Sequence, residues 1–181
     1  SLGIAPWDTD GVKAELEKMR EAGRHVGEIL QRLGELAKPG VTTAELDRVA
    51  HAEIRARKLE SSFLGSAPGD NPPFPAVICA SVNEEIVHGI PGGRRLVEGD
   101  LLKIDFGAIC DGFHADAAIT VPIGEVDEES RRLVSTTLSS LYAGVEQMAP
   151  GKRLGDVGAA VQETVEREGF SVVRDFVGHG I

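Results

Sequence analysis

The stretch Leu101–Val121, LLKIDFGAICDGFHADAAITV, constrains the fold more than any other part of the chain. Asp111-Gly112 is a strong two-residue hairpin signal, because a type I′ turn needs positive φ at both central positions. β-rich runs flank it, so the stretch predicts two antiparallel strands. With Asp111 and Gly112 as the loop, Cys110 faces Phe113 and Asp105 faces Ala118. Side chains alternate along a strand, which puts Asp105 and Asp116 on one face. Lys103, Gly107, His114 and Thr120 share that face, while Leu102, Ile104, Phe106, Phe113, Ala115, Ala117, Ile119 and Val121 take the other. One side is core and the other is polar. The two aspartates become diagonal neighbours, roughly 7–8 Å between backbones. Like charges held that close are costly unless a proton or a cation is shared. A divalent metal is one solution. A solvated strand face, with Lys103 balancing the charge, is the other.

Composition narrows the classes. A chain of 181 residues that is 41% hydrophobic can bury a core, as one domain or two small related halves. Its net charge of −10 lacks the basic footprint that nucleic acid requires. Without an apolar run near the ~20 residues of a membrane span, no membrane partner is expected. Cys79 and Cys110 make no disulfide framework and fit a reducing, cytoplasmic setting.

In chain order, Ser1–Asp10 reads as an arm carrying the single Trp7, followed by a domain over residues 11–181. Leu16, Met19, Val26, Ile29, Leu30, Leu33 and Leu36 recur at helical spacing up to Lys38-Pro39-Gly40. Thr42-x-x-Glu45 is a capping box that opens a second helix, to about Leu59, with Leu46, Val49, Ala50 and Ile54 as its apolar face. Glu60–Pro75 reads as a loop. Ala76–Val82 and Ile86–Ile90 read as a strand pair, turned by Asn83-Glu84-Glu85. Beyond the central hairpin, Asp127–Met148 and Leu154–Glu168 return to helical spacing, and Phe170–Val177 reads as a strand. Helix, Pro-Gly, helix thus occurs twice: Pro39-Gly40 matches Pro150-Gly151 at an offset of 111. The second half reads as incomplete.

Asp105, Asp116 and His179 are hard-to-borderline metal ligands. His179 lies between two glycines, which leave room around the imidazole. His88 stands beside Gly89 and suits substrate binding or proton handling, with a hydrogen-bonded strand histidine as the plainer reading. His114 shares the aspartate face and competes as a ligand.

The run SVNEEIVHGIPGGRRLVEGDLLKIDFGAICDGFHADAAITV, with His179 in GHGI 63 residues after Asp116, resembles the bacterial type I methionine aminopeptidases. The resemblance implies an α+β pita-bread fold: two pseudo-symmetric halves around a curved antiparallel sheet, helices on its outer face. It implies two divalent metal ions (Co, Mn, Fe or Zn) held by Asp105, bridging Asp116 and His179. It places His88 beside the scissile peptide, Cys79 and Phe74 in the methionine pocket, and leaves His114 out of the ligand set. The implied reaction removes initiator methionine from nascent chains with a small second residue, by a metal-bridged hydroxide, and so implies ribosome proximity. Two further glutamate ligands lie downstream of GHGI in the family, and the sequence ends at Ile181 before them. A fragment of a longer enzyme is therefore expected, and doubtful activity if these 181 residues stood alone. Ser66–Pro73 is also longer than the family's usual loop and lacks its tyrosine. A proline-specific pita-bread peptidase and a non-catalytic peptide- or protein-binding module are the alternatives.

Overall fold

The computed structural model describes residues 9–181. Trp7 and most of the expected arm lie outside them, and Thr9 and Asp10 already belong to the first helix. The chain forms two compact units, divided between Gly124 and Glu125.

The first unit opens with α1 (Thr9–Leu36) and α2 (Thr43–Arg57). Val26, Ile29, Leu30 and Leu33 are buried, whereas Leu16, Met19 and Leu36 from the same stripe are exposed. Gly40, at φ +92°, turns the chain between the helices, and its N–H donates to the Leu96 carbonyl at 2.7 Å. The capping box forms as read. Thr42 Oγ1 accepts from the Glu45 N–H at 3.2 Å, and the Glu45 carboxylate accepts from the Thr42 N–H at 2.7 Å. Such a cap contributes about 1 kcal/mol. One turn on, Asp47 Oδ1 accepts from the N–H groups of Val77 (2.9 Å) and Ile78 (3.3 Å), fastening α2 to the start of the sheet.

The sheet contains β1 (Glu60–Ser61), β2 (Ile78–Val82), β3 (Leu101–Cys110) and β4 (Phe113–Pro122). β3 is central. β4 pairs along one side, and β1 and β2 pair with different parts of the other, all antiparallel. Asp111 and Gly112 have φ of 49° and 83°, as a type I′ turn demands. The register follows from that turn: Cys110 opposes Phe113, Gly107 opposes Asp116, and Asp105 opposes Ala118. Leu102, Ile104 and Phe106 are fully buried on the core face, in one cluster with Ile29, Leu33, Leu46 and Ile78.

Ile86–Ile90 is not a strand. His88 sits at φ +60°, which an extended chain cannot accommodate, and a single backbone bond, Ala80 N–H to Gly89 O at 2.8 Å, ties the segment to β2. Asn83 instead closes the end of β2. Its side chain donates to Asp100 Oδ1 at 2.8 Å and accepts from the Leu101 N–H at 2.8 Å. Buried Asp100 also accepts from the Val97 N–H at 3.0 Å. Asp100→Ala removes the acceptor of two part-buried hydrogen bonds, so urea unfolding should show a loss of about 1–3 kcal/mol. An unchanged midpoint would refute that assignment.

The second unit is a helix pair, α3 (Glu128–Glu146) and α4 (Leu154–Arg167). Asp127 caps α3 by accepting from the Ser130 N–H at 2.7 Å, which holds its carboxyl below the ordinary range. At the offset of 111, Asp156 accepts from the Arg153 N–H at 2.7 Å, as Glu45 does from Thr42, and Gly151 repeats the positive φ of Gly40. The repeat read in the sequence is thus a repeat of local structure. α3 packs on α4 through its small residues. A Cβ on Gly144 would stand 2.9 Å from Val161 Cγ2, and Thr136 and Ser140 are buried on the same side. Leu133, Leu138, Leu141 and Val145 are exposed. Phe170–Val177 carries no strand either: a strand needs a neighbour for its backbone groups, and none is paired with it among the described residues.

Candidate functional site

The hairpin register builds the polar face row by row. Cys79, Asp105 and Ala118 stand abreast across β2, β3 and β4. In the next row Gly107 opposes Asp116, and on its other side the Ser62 N–H donates to the Gly107 carbonyl at 3.1 Å. Asp105 and Asp116 are therefore diagonal neighbours on one face, both half-buried. Cys79 is buried beside them. Burial first, then the charges of Asp105 and Asp116, push its thiol up to about 12. A thiol in that state is protonated at neutral pH and is a poor nucleophile.

Lys103, the balancing charge of the plainer reading, donates its ammonium to the Asn83 carbonyl at 2.5 Å. Burial draws its pKa down, against the opposing pull of Glu85 and Glu84. The carboxylate pair supplies hard oxygen donors on adjacent rows, and this donor set fits a divalent cation. Among the described residues of this unit, no group of three or more His, Cys, Asp and Glu is arranged to hold a metal ion, so the pair is what the unit offers. His179 belongs to the second unit, in exposed coil after α4. Its Nδ1 lies 3.0 Å from the Gly180 carbonyl. A carbonyl only accepts, so Nδ1 is the donor in that contact.

His88 is exposed in the left-handed region, next to a glycine pinned on β2. The Gly89 N–H donates to Ser81 Oγ at 3.0 Å, and a Cβ on Gly89 would stand 2.4 Å from the Ala80 carbonyl oxygen. Phe74 is half-buried at the base of the Ser66–Pro73 loop. Its N–H donates to Ser66 O at 2.8 Å and its carbonyl accepts from the Gly65 N–H at 2.9 Å.

Ser62 and Phe63 follow directly on β1, within the stretch Glu60–Pro75. Both cover Gly107 on the aspartate face: a Cβ there would stand 2.8 Å from Phe63 Cε1 and 3.0 Å from Ser62 Cβ. A glycine inside a strand, opposite Asp116, is the sequence signal of such close approach. His114 reaches across the same gap, with its Nδ1 3.1 Å from Ser62 Oγ.

The sequence profile of metallopeptidase family M24 matches residues 17–181. A methionine aminopeptidase of Clostridium acetobutylicum is 49% identical over 168 residues, which cover 92% of this chain. The chain spans 65% of that relative's length. A crystal structure of methionine aminopeptidase from Rickettsia prowazekii superposes with a TM-score of 0.88 at 36% identity, over 93% of this chain and 66% of that one. Prolidase from Pyrococcus furiosus superposes at 0.73 with 18% identity, over 87% of this chain and 44% of that one, a likeness of fold alone.

Proposed function

The chain belongs to metallopeptidase family M24 and has its pita-bread fold, and from that membership we propose that it is the metal- and substrate-binding part of a methionine aminopeptidase. The diagonal pair Asp105 and Asp116, on one face of the hairpin, carries this reading. A sheet face that only meets water has no reason to hold two carboxylates on adjacent rows.

Asp105, Asp116 and His179 are the residues that would hold the two divalent ions of this reading, drawn from Co, Mn, Fe and Zn. When bound, such ions supply Lewis acidity, polarising a carbonyl and acidifying a water. The chain's own residues do the rest. His88 donates a hydrogen bond at the scissile peptide, and its left-handed backbone, which costs about 1 kcal/mol or more, is the kind of strain kept for function. Cys79 and Phe74 bound the pocket for the methionine side chain, the neutral thiol excluding water without competing for the reaction. The substrates are nascent polypeptide N-termini near the ribosome, with a small second residue. Two free cysteines suit the cytoplasm.

The test is release of free methionine from Met-Ala-Ser by the full-length protein. Chelation should abolish release and Mn²⁺ should restore it, while Leu-Ala-Ser and Ala-Pro stay uncut. Metal-independent release, or preferential cleavage before proline, would overturn the proposal.

A further inference from the structure

We infer that the seam between α3 and α4 binds a phosphate group, either the free ion or a monoester of a small molecule. The site lies wholly within the second unit and is independent of the metal-site reading. Arg132, Ser135 and Ser139 of α3, Thr164 and Arg167 of α4, and Glu168 just past its end line a cavity of about 240 Å³. That is below the roughly 300–1,000 Å³ of sites for drug-sized ligands, and it suits a small oxyanion.

The internal repeat shows what the cavity lacks. At the offset of 111, Ser139 stands where the first half has Glu28, Thr164 where it has Glu53, Glu168 where it has Arg57, and Arg132 where it has Glu21. In the first half this seam is closed by ion pairs. Arg57 Nε donates to Glu53 Oε2 at 3.0 Å, Arg57 Nη1 donates to the Glu28 carboxylate, and Arg32 also pairs with Glu53. In the second half hydroxyls replace both of those acids, and the wall carries two guanidinium groups against the one carboxylate of Glu168. Arg132 is held in place: it donates to the Glu168 carbonyl at 2.7 Å, and its guanidinium lies 5.2 Å from the centroid of the Phe170 ring. Neither contact neutralises its charge. Arg167 and Ser139 make no hydrogen bond or ion pair among the described residues. Ser135 and Thr164 donate to carbonyls of their own helices, Arg132 O at 3.0 Å and Ala160 O at 2.8 Å, and a hydroxyl rotates to suit a new acceptor. A phosphate answers this donor set better than a carboxylate, because its oxygens take a bidentate guanidinium contact and several hydroxyls at once. The Glu168 carboxylate accepts from the P–OH of a hydrogen phosphate. Filling the cavity with apolar side chains would instead strand two guanidinium groups.

Calorimetric titration of the full-length protein with inorganic phosphate and with glycerol 3-phosphate tests the site. Phosphate should bind saturably and acetate should not. Tighter binding of the ester would assign the site to a phosphorylated molecule, and binding of inorganic phosphate alone would assign it to the free ion. Arg132→Gln and Arg167→Gln should each weaken phosphate binding about tenfold or more, as expected for a lost charge-assisted hydrogen bond. Ser139→Glu returns the acid of the first half to the seam. It should abolish binding while the melting temperature holds, and it decides the matter if an arginine variant fails to fold. Asp116→Ala should keep wild-type phosphate affinity, whereas phosphate held on a bound metal would be lost with that residue. Binding that is absent, that survives the seam variants, or that disappears in Asp116→Ala would overturn the inference. None of those outcomes bears on methionine release.

Discussion

Asp116→Ala should abolish metal-dependent methionine release by the full-length protein and weaken divalent-metal binding by more than about 100-fold, beyond the range of outer-shell changes. Asp116 opposes Gly107 and lies diagonally from Asp105, so its carboxylate is half of the oxygen-donor pair on that face. Among the described residues, removing it leaves Asp105 as the one carboxylate of the pair, and the loss of one of two adjacent oxygen donors weakens the hold on a divalent ion. Asp116→Asn separates charge from shape. The amide keeps the volume and one oxygen but loses the anion, so it should bind metal nearly as poorly as the alanine variant. Neither change touches the core face, where Leu102, Ile104 and Phe106 are buried. The melting temperature in chelator should therefore hold or rise, since a like-charge pair has been relieved. Calorimetric Mn²⁺ titration beside thermal melts checks both halves. A solvated strand face predicts no change in either, and that outcome would remove the metal site from this hairpin.

The hairpin that carries this prediction was legible because local chemistry over-determines it. Asp111-Gly112 specifies the turn, the turn specifies the register, and the register fixes which side chains share a face. The Thr42–Glu45 box was legible for the same reason: both of its bonds close within one helical turn. What the sequence did not disclose depends on partners far away in the chain. Phe170–Val177 has the composition of a strand, but β-propensity describes a fit to neighbours, and no strand lies beside it among the described residues. The apolar spacing of Leu138, Leu141 and Val145 located α3 but not its packing side, which runs through Ser140 and Gly144 against α4. Lys103 is a counter-charge to the aspartates only in the alternative of a solvated strand face. Asn83, bent into the left-handed region by its ties to Asp100 and Leu101, draws it away instead.

Ile86–Ile90 failed as a strand for a reason that bears on function, and it sets the second large effect. Gly89→Ala should lower kcat/KM for methionine release by about 100-fold or more while leaving metal stoichiometry unchanged. A Cβ at this position would lie 2.4 Å from the Ala80 carbonyl oxygen and 2.9 Å from both the Ala80 carbonyl carbon and Ser81 Cα. All three are backbone atoms of β2, whose five residues are buried and paired to β3, so the strand cannot yield cheaply. The Val87–Ile90 segment must move instead. Moving it breaks the Ala80 N–H to Gly89 O bond and the Gly89 N–H to Ser81 Oγ bond, leaving the buried Ala80 donor unsatisfied at a cost of about 1–3 kcal/mol. His88 moves with the segment, and a displacement of ~1 Å at a positioned group is enough for a 100-fold loss. His88→Ala should lose activity comparably without the loss of stability, because the exposed ring adds no core packing. Asp105 and Asp116 lie on other strands, so both variants should keep the wild-type metal content. Matched kinetics, melts and metal analysis separate the cases. An active, stable Gly89→Ala enzyme would mean that β2 does not fix His88, and its role at the scissile peptide would then need another anchor.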